Sequence, residues 1–225
     1  MIIKANNLSK VYKGKVQAVK NVTISLEKSK FYAIMGHSGS GKTTLLQLLG
    51  LLDKATSGEL YIDGENVANL NENEKAKIRM GKIGFVFQAF YLNPKLKAYE
   101  NVMLPMYINE NYRNDDLKEK AMNLLEQLGM SDRAKHYPKE LSGGEQQRVA
   151  IARSLANNPD CIFADEPTGN LDIENEIIVF EILKKLSREG KCVLVVSHNE
   201  IVKKYADKLF YMDKGILREE ISNEI

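Results

Sequence analysis

Residues 31 to 49, FYAIMGHSGSGKTTLLQLL, constrain this chain more than any other stretch. The apolar run Phe31 to Met35 reads as a short buried strand. It breaks into the turn GHSGSG, and an apolar stretch led by Lys42, Thr43 and Thr44 then reads as a helix. Gly36, four residues, Gly41, Lys42 and Thr43 match the phosphate-binding loop pattern, in the strand–loop–helix setting that the pattern needs. Glycines let such a loop curl so that successive N–H groups point at one anion. The helix that follows adds the positive end of its dipole. Lys42 supplies a full charge for the β- and γ-phosphates, and the Thr43 hydroxyl suits Mg²⁺, which takes oxygen ligands.

The 225 residues leave room for one domain with a full core and at most a small subdomain. Apolar residues make up 44% and charged residues 28%, the balance of an ordinary globular protein. Net charge is 32 minus 30, or +2, so there is no basic footprint and no nucleic-acid partner is expected. Apolar blocks fall well short of the roughly 18 residues of a membrane span. The start, MIIKANNLSK, shows no charged-then-apolar signal architecture. The expected place is the cytosol, or the cytosolic face of a membrane through a partner. Cys161 and Cys192 lie inside apolar runs and read as small buried residues.

Along the chain, residues 2 to 27 carry two strand-like runs, the second alternating at Val22, Ile24 and Leu26. Between them Tyr12 is either a surface turn residue or a stacking platform for a flat ring. A small β element follows, with Asp63-Gly64 as its hairpin turn. Asn71 to Met80 reads as a short polar helix and Ile83 to Phe87 as a strand ended by Gln88, a loop residue or one that reaches metal or water. Residues 89 to 140 lose strand signals: Leu117, Ala121, Leu124, Leu125 and Leu128 share one helix face, with Asn114 or Asp115 as the cap and Gly129 as the stop. This is the pattern of an α-helical subdomain inserted in an α/β core.

Ser142-Gly143-Gly144-Glu145 opens another helix, as an anion site or as an ordinary capped end. Cys161 to Ala164 reads as a buried strand ending in Asp165-Glu166, at the sheet edge where open α/β sheets bind ligands. Adjacent strand residues face opposite ways, so Asp165 can serve metal-bound water while Glu166 faces an attacking water. Ile178, Val179, Ile182, Leu183 and Leu186 form a helix stripe. Cys192 to Val196 is the next strand, ending at Ser197-His198, and His198 is either a site residue or a loop or core histidine. Leu209 to Met212 is the last strand, before a Lys-Gly turn and a polar tail. Alternating strands and helices argue a parallel sheet with helices on both faces.

Taken in order, these motifs resemble the ATP-binding-cassette ATPases of ABC transporters over nearly the whole chain. GHSGSGKTT is similar to the Walker A loop, CIFADE to Walker B plus the general-base glutamate, and LSGGEQQR to the family signature. Within the family, ADEPTGNLD with IGFVFQ looks like the lipoprotein-releasing, macrolide or peptide-export and cell-division branch. The resemblance implies one nucleotide-binding domain over 1–225. Its α/β P-loop NTPase core would hold the parallel sheet and a small N-terminal antiparallel β part, at about 1–88 and 158–225, with the α-helical subdomain at about 89–157.

It also implies the ligands and roles. ATP would be bound by Tyr12 stacking on adenine, by Gly36, Ser38, Gly39, Ser40, Gly41, Lys42, Thr43 and Thr44, and by Ser142, Gly143, Gly144 and Glu145. Mg²⁺ would fall to Thr43, Gln88 of the Q-loop and Asp165, and catalysis to Glu166, the switch histidine His198, Lys42 and Gln88. Gly169-Asn170-Leu171-Asp172 matches the D-loop. Partners would be a second copy or a related cassette, in an ATP-dependent dimer, and an integral membrane permease. Lys95 and Lys97, just past Gln88, are candidate permease contacts. The implied activity is ATP hydrolysis energising an exporter or extractor at the cytoplasmic face of the plasma membrane. The alternative is a cassette that signals to a permease-like partner without moving cargo. A soluble repair or translation cassette would need two fused cassettes or a long coiled-coil insertion.

Overall fold

A computed structural model of the protein describes residues 1–220 apart from 15 and 114. Strands β1 (Ile3–Val11) and β2 (Gln17–Leu26) pair antiparallel, with Ile3 opposite Leu26 and Ala5 opposite Ile24. The chain then crosses to a second sheet through β3 (Phe31–Met35) and leaves it by the helix α1 (Lys42–Leu49). β4 (Ser57–Ile62) returns to β1, and Asp63 and Gly64, with φ of 51° and 82°, turn it into β5 (Glu65–Asn66). Two positive φ angles are what a tight primed hairpin turn requires.

Helix α2 (Glu72–Lys82) starts at a capping box, in which the Asn71 side chain accepts from the Glu74 N–H and Glu74 reaches back to the Asn71 N–H. It runs directly into β6 (Ile83–Phe87). Three helices follow, α3 (Ala98–Tyr107), α4 (Leu117–Gln127) and α5 (Gly143–Leu155), joined by short 3-10 turns. Then come β7 (Cys161–Asp165), α6 (Ile173–Arg188), β8 (Cys192–Ser197), β9 (Lys208–Asp213) and β10 (Ile216–Glu219).

The larger sheet has the order β10-β9-β3-β8-β7-β6. β9, β3, β8, β7 and β6 are mutually parallel, and only the edge strand β10 is antiparallel. Every residue of β3 and β8 is buried, the mark of strands covered on both faces. Alternate residues feed two cores. Tyr32, Ile34, Leu194 and Val196 pack with α1 and the small sheet; Phe31, Ala33, Val193 and Val195 pack with α5 and α6. A third core, built on Val102, Met106, Ala121, Leu125 and Val149, belongs to the helices α3 to α5. Helix α5 serves two cores: Val149 and Ala152 face the helical one, Ile151 and Leu155 the sheet.

Three expectations shift. α4 is capped by Asp116, which accepts from the Glu119 N–H at 3.0 Å, and not by Asp115, whose carboxylate pairs with Lys120 at 3.1 Å; Asn114 lies outside the described residues. The polar tail begins as a strand, because Lys214 and Gly215, at φ 46° and 85°, turn Ile216–Glu219 back onto β9. Phe180, left out of the α6 stripe, is fully buried and stacks on Tyr205 with 5.5 Å between ring centroids. The two cysteines are free, buried and opposite each other on β7 and β8. Their mutual hydrogen bond, and then burial, push the Cys161 thiol far above its ordinary pKa, so it stays a protonated core residue.

Candidate functional site

The strand ends β3, β7 and β8 bring the phosphate loop, Asp165-Glu166 and Ser197-His198 to one edge of the sheet. Gly36 and Gly41 have φ of 152° and 108°. A side chain at Gly36 would collide with the Met212 carbonyl and one at Gly41 with the Ala18 carbonyl, so the loop can curl this tightly only with glycine at both. Gly41 is the N-cap of α1 and offers no side-chain bond, which leaves the first-turn N–H groups open to the cleft. The cleft, about 540 Å³, is lined by residues 37–44 together with Ala18, Gln88, Glu166 and His198.

Lys42 is only 6% exposed. Its ammonium donates to the carbonyls of Gly36 at 2.7 Å and His37 at 3.1 Å and lies 3.9 Å from Glu166 Oε1. Thr43 Oγ1 donates to Asp165 Oδ1 at 2.9 Å. Burial, with the nearby charge of Glu166, raises the Asp165 carboxyl above its ordinary pKa against the opposing pull of Thr43 and Lys42. Glu166 takes a left-handed backbone, φ 47°. Its Oε2 accepts from Ser197 Oγ at 3.1 Å and from the His198 N–H at 3.2 Å, with His198 Nδ1 at 3.0 Å. Gln88 is tied to the loop after β7: the Asn170 Nδ2 donates to the Gln88 carbonyl at 3.1 Å, and the Gln88 Nε2 to Asn170 Oδ1 at 3.4 Å. A side chain on Gly169 would press on that same amide at 2.7 Å.

The structure thus brings Gly36 to Thr44, Gln88, Asp165, Glu166 and His198 together. It leaves two groups elsewhere. Tyr12 sits at the β1–β2 turn, outside the cleft lining, with its hydroxyl donating to Asp53 at 3.0 Å and the Lys10 ammonium 4.9 Å from its ring centroid. Ser142, Gly143, Gly144 and Glu145 also lie off this cleft. There Ser142 Oγ accepts from the Glu145 N–H at 3.2 Å, and Glu145 accepts from the Ser142 N–H at 2.8 Å and pairs with Arg133 at 2.9 Å.

A second groove of about 560 Å³ opens between the sheet and the helical segment, lined by Arg79, Phe87, Tyr91, Pro105, Ile108 and Arg153 among others. Lys95 and Lys97 do not line it; the Lys97 ammonium lies 6.0 Å from the Tyr137 ring centroid. Among the described residues no helix is long and apolar enough to cross a membrane, and no group of three or more His, Cys, Asp or Glu could hold a metal alone. Thr43 and Asp165 supply two hard oxygens in contact, which suits a Mg²⁺ ion completed by phosphate oxygens and water.

Reading the residues singly missed Ser197, Gln147 and Arg153. Gln147 carried a signal, a polar residue one turn before Ala150 and Ile151 on the buried face of α5. Arg153, whose guanidinium holds the carbonyls of Phe90 and Tyr91, carried none.

The model of the ABC transporter family matches residues 19–169, and the chain belongs to that family. It is similar to the macrolide export ATP-binding/permease protein MacB of Bdellovibrio bacteriovorus, 46% identical over 206 residues, 92% of this chain and 31% of that one. It is also similar to the lipoprotein-releasing system ATP-binding protein LolD of Aquifex aeolicus, 43% identical over 221 residues, 98% of each. Among solved structures it matches the dimeric, post-hydrolysis state of the ATP-binding cassette MJ0796 bound to ADP and phosphate, with TM-score 0.89, 43% identity and full coverage of both chains. The chain is accordingly an ATP-binding and ATP-hydrolysing cassette of the LolD and MacB branch.

Proposed function

We propose that this cassette energises an exporter or extractor of the antimicrobial-peptide, macrolide or lipoprotein type, from the cytoplasmic face of the plasma membrane, as a dimer bound to an integral permease. The observation that carries the dimer is the separation of the two phosphate-directed helix ends. Lys42 and the open end of α1 line the cleft, whereas Ser142 to Glu145 do not. One chain then owns two half-sites, and two chains complete two sites.

In this reading Lys42 exchanges its two carbonyl partners for the β- and γ-phosphates of ATP. Thr43 and Asp165, with Gln88, would hold Mg²⁺, whose charge would screen the phosphates. Glu166 orients or deprotonates the attacking water, and His198, now against Glu166, turns to the γ-phosphate. Phosphoryl transfer rests on such positioning and charge stabilisation. The core, about residues 1–88 and 158–225, closes on the nucleotide, while the helical part, about 89–157, carries the motion outward. The aromatic groove at Phe87, Tyr91 and Ile108 receives the permease.

The test is Glu166→Gln, which keeps shape and removes the carboxylate. Hydrolysis is expected to fall by a factor on the order of 10² or more. ATP is expected to hold the variant as a long-lived dimer by light scattering, and Ser142→Arg in that background to lose the dimer while keeping ATP. Wild-type turnover by Glu166→Gln rules out the water-activating role. A variant that stays monomeric with ATP, alone and with the permease added, rules out the shared sites.

A further inference from the structure

Gln147 lies in the second turn of α5 and has no exposed surface (0%). Its Nε2 donates to the Pro167 carbonyl at 2.6 Å and to the Phe87 carbonyl at 3.3 Å. Two carbonyl acceptors decide which end of the amide faces them, since only nitrogen can donate. The Oε1 is then buried without a partner. An unpaired buried acceptor is unfavourable, and an apolar side chain of similar size would remove it only by leaving the Pro167 carbonyl without its donor. What the amide does instead is join two strand ends.

Phe87 and Asp165 face each other on the parallel strands β6 and β7. The next residue after Phe87 is Gln88, and Pro167 directly follows Glu166. The donor therefore staples the backbone at the two points where the Q-loop and the water-facing loop leave the sheet. Asn170 holds the next carbonyl along, that of Gln88. The helix that carries the staple is capped by Ser142, five residues earlier. Its first turn is packed hard against α6, since any side chain at Gly144 would collide with Asn175. A shift of that first turn has little slack to disappear into before it reaches Gln147.

We propose that Gln147 is a positioning residue for hydrolysis. Through its amide the signature helix sets the placement of Gln88 and Glu166, so that a nucleotide held by the partner at Ser142 is felt at this chain's own water-activating end. The inference rests on the roles given above to Gln88, Glu166 and Ser142.

The test is Mg-ATP hydrolysis by the full chain over a range of ATP concentrations, with Gln147→Met, which keeps the volume and removes the donor. The expected result is a fall in kcat of about tenfold or more, as for a small misplacement of reacting groups. KM should change by no more than about twofold, and the Hill coefficient should drop toward one. ATP binding to the isolated chain, by calorimetry, should stay at the wild-type value. Unchanged kcat and Hill coefficient overturn the inference, as does a loss of kcat that merely tracks loss of folded protein by circular dichroism. If Gln147→Met does not fold, Gln147→Asn, which keeps a donor but shortens its reach, is expected to show the same pattern. If neither folds, the amide is a folding element and the inference falls. Glu166→Gln assayed alongside separates the two levels. Its normal turnover overturns the site reading, whereas its loss with a wild-type Gln147→Met overturns the present inference alone.

Discussion

Helices α1 and α5 both open at a glycine-containing, anion-directed motif, with Gly41 as the N-cap of the first and Gly143 as the first residue of the second, yet their N-termini are finished in opposite ways. α1 starts from Gly41 with no side-chain cap, beside a buried Lys42 whose ammonium rests on loop carbonyls. α5 starts from Ser142 with a complete capping box, and its Glu145 is further held by Arg133. One end leaves its N–H groups unspent and surrounds them with a cleft; the other satisfies part of its own need and lies off that cleft. The first end is therefore arranged to bind an anion in the isolated chain. The second is already capped within the chain, and Gly143 and Gly144 are what it has left to offer to an incoming phosphate.

The strongest way to break this contrast is Lys42→Ala. It removes the full charge at the α1 end and should weaken Mg-ATP by about 3 kcal/mol, roughly a hundredfold in Kd by calorimetry. Unchanged affinity would mean that the loop amides alone bind the triphosphate and that Lys42 is a structural cation.

Ser142→Ala probes the other end and should do something different in kind. Loss of the cap should destabilise the chain by about 1 kcal/mol in urea unfolding, with ATP affinity of the isolated chain unaltered. A pH series sharpens it. Burial alone would raise the Glu145 carboxyl, but the Ser142 N–H, Arg133 and the Ser142 hydroxyl outweigh it and hold the pKa below the ordinary value. The box therefore contributes fully above the ordinary glutamate pKa and is lost as the pH falls through the lowered one. Glu145→Gln should flatten that acid limb, and an unchanged limb would show that the box contributes nothing to stability.

The smallest effect is expected at Tyr12. If its ring stacks on the base of the nucleotide held by α1, Tyr12→Ala should weaken ATP by about 1 kcal/mol and leave bare triphosphate unaffected. Tyr12→Phe, which loses only the bond to Asp53, should change ATP affinity little. Equal losses for ATP and triphosphate point to a distorted loop and not to stacking.

How much was legible follows from how local each signal is. The strand–loop–helix at 31–49, the Asp63-Gly64 turn and the apolar stripe of α4 depend on neighbours within a few residues, and each lies where the sequence puts it. Asp116 in place of Asp115 as the α4 cap shows the limit of that resolution. The two aspartates are equivalent by type, and only the chain's direction into the helix decides which one meets the Glu119 N–H. β10 was hidden because four residues with little alternation become a strand only when a turn delivers them to β9.

Spacing and residue type act over short range, and they were enough to specify the family, the phosphate loop and the succession of strands and helices as far as β9. Which ends share a cleft follows from the strand order and not from any local pattern. β3 lies between β8 and β9, so Lys42, Glu166 and His198 meet from segments more than 120 residues apart along the chain in the case of Lys42 and Glu166. Gln147, Asn170 and Ser197 acquire their partners in the same way. Their hydrogen bonds are to backbone or side chains brought near by strand pairing, and no local pattern encodes a contact whose two halves are fixed by different parts of the sheet.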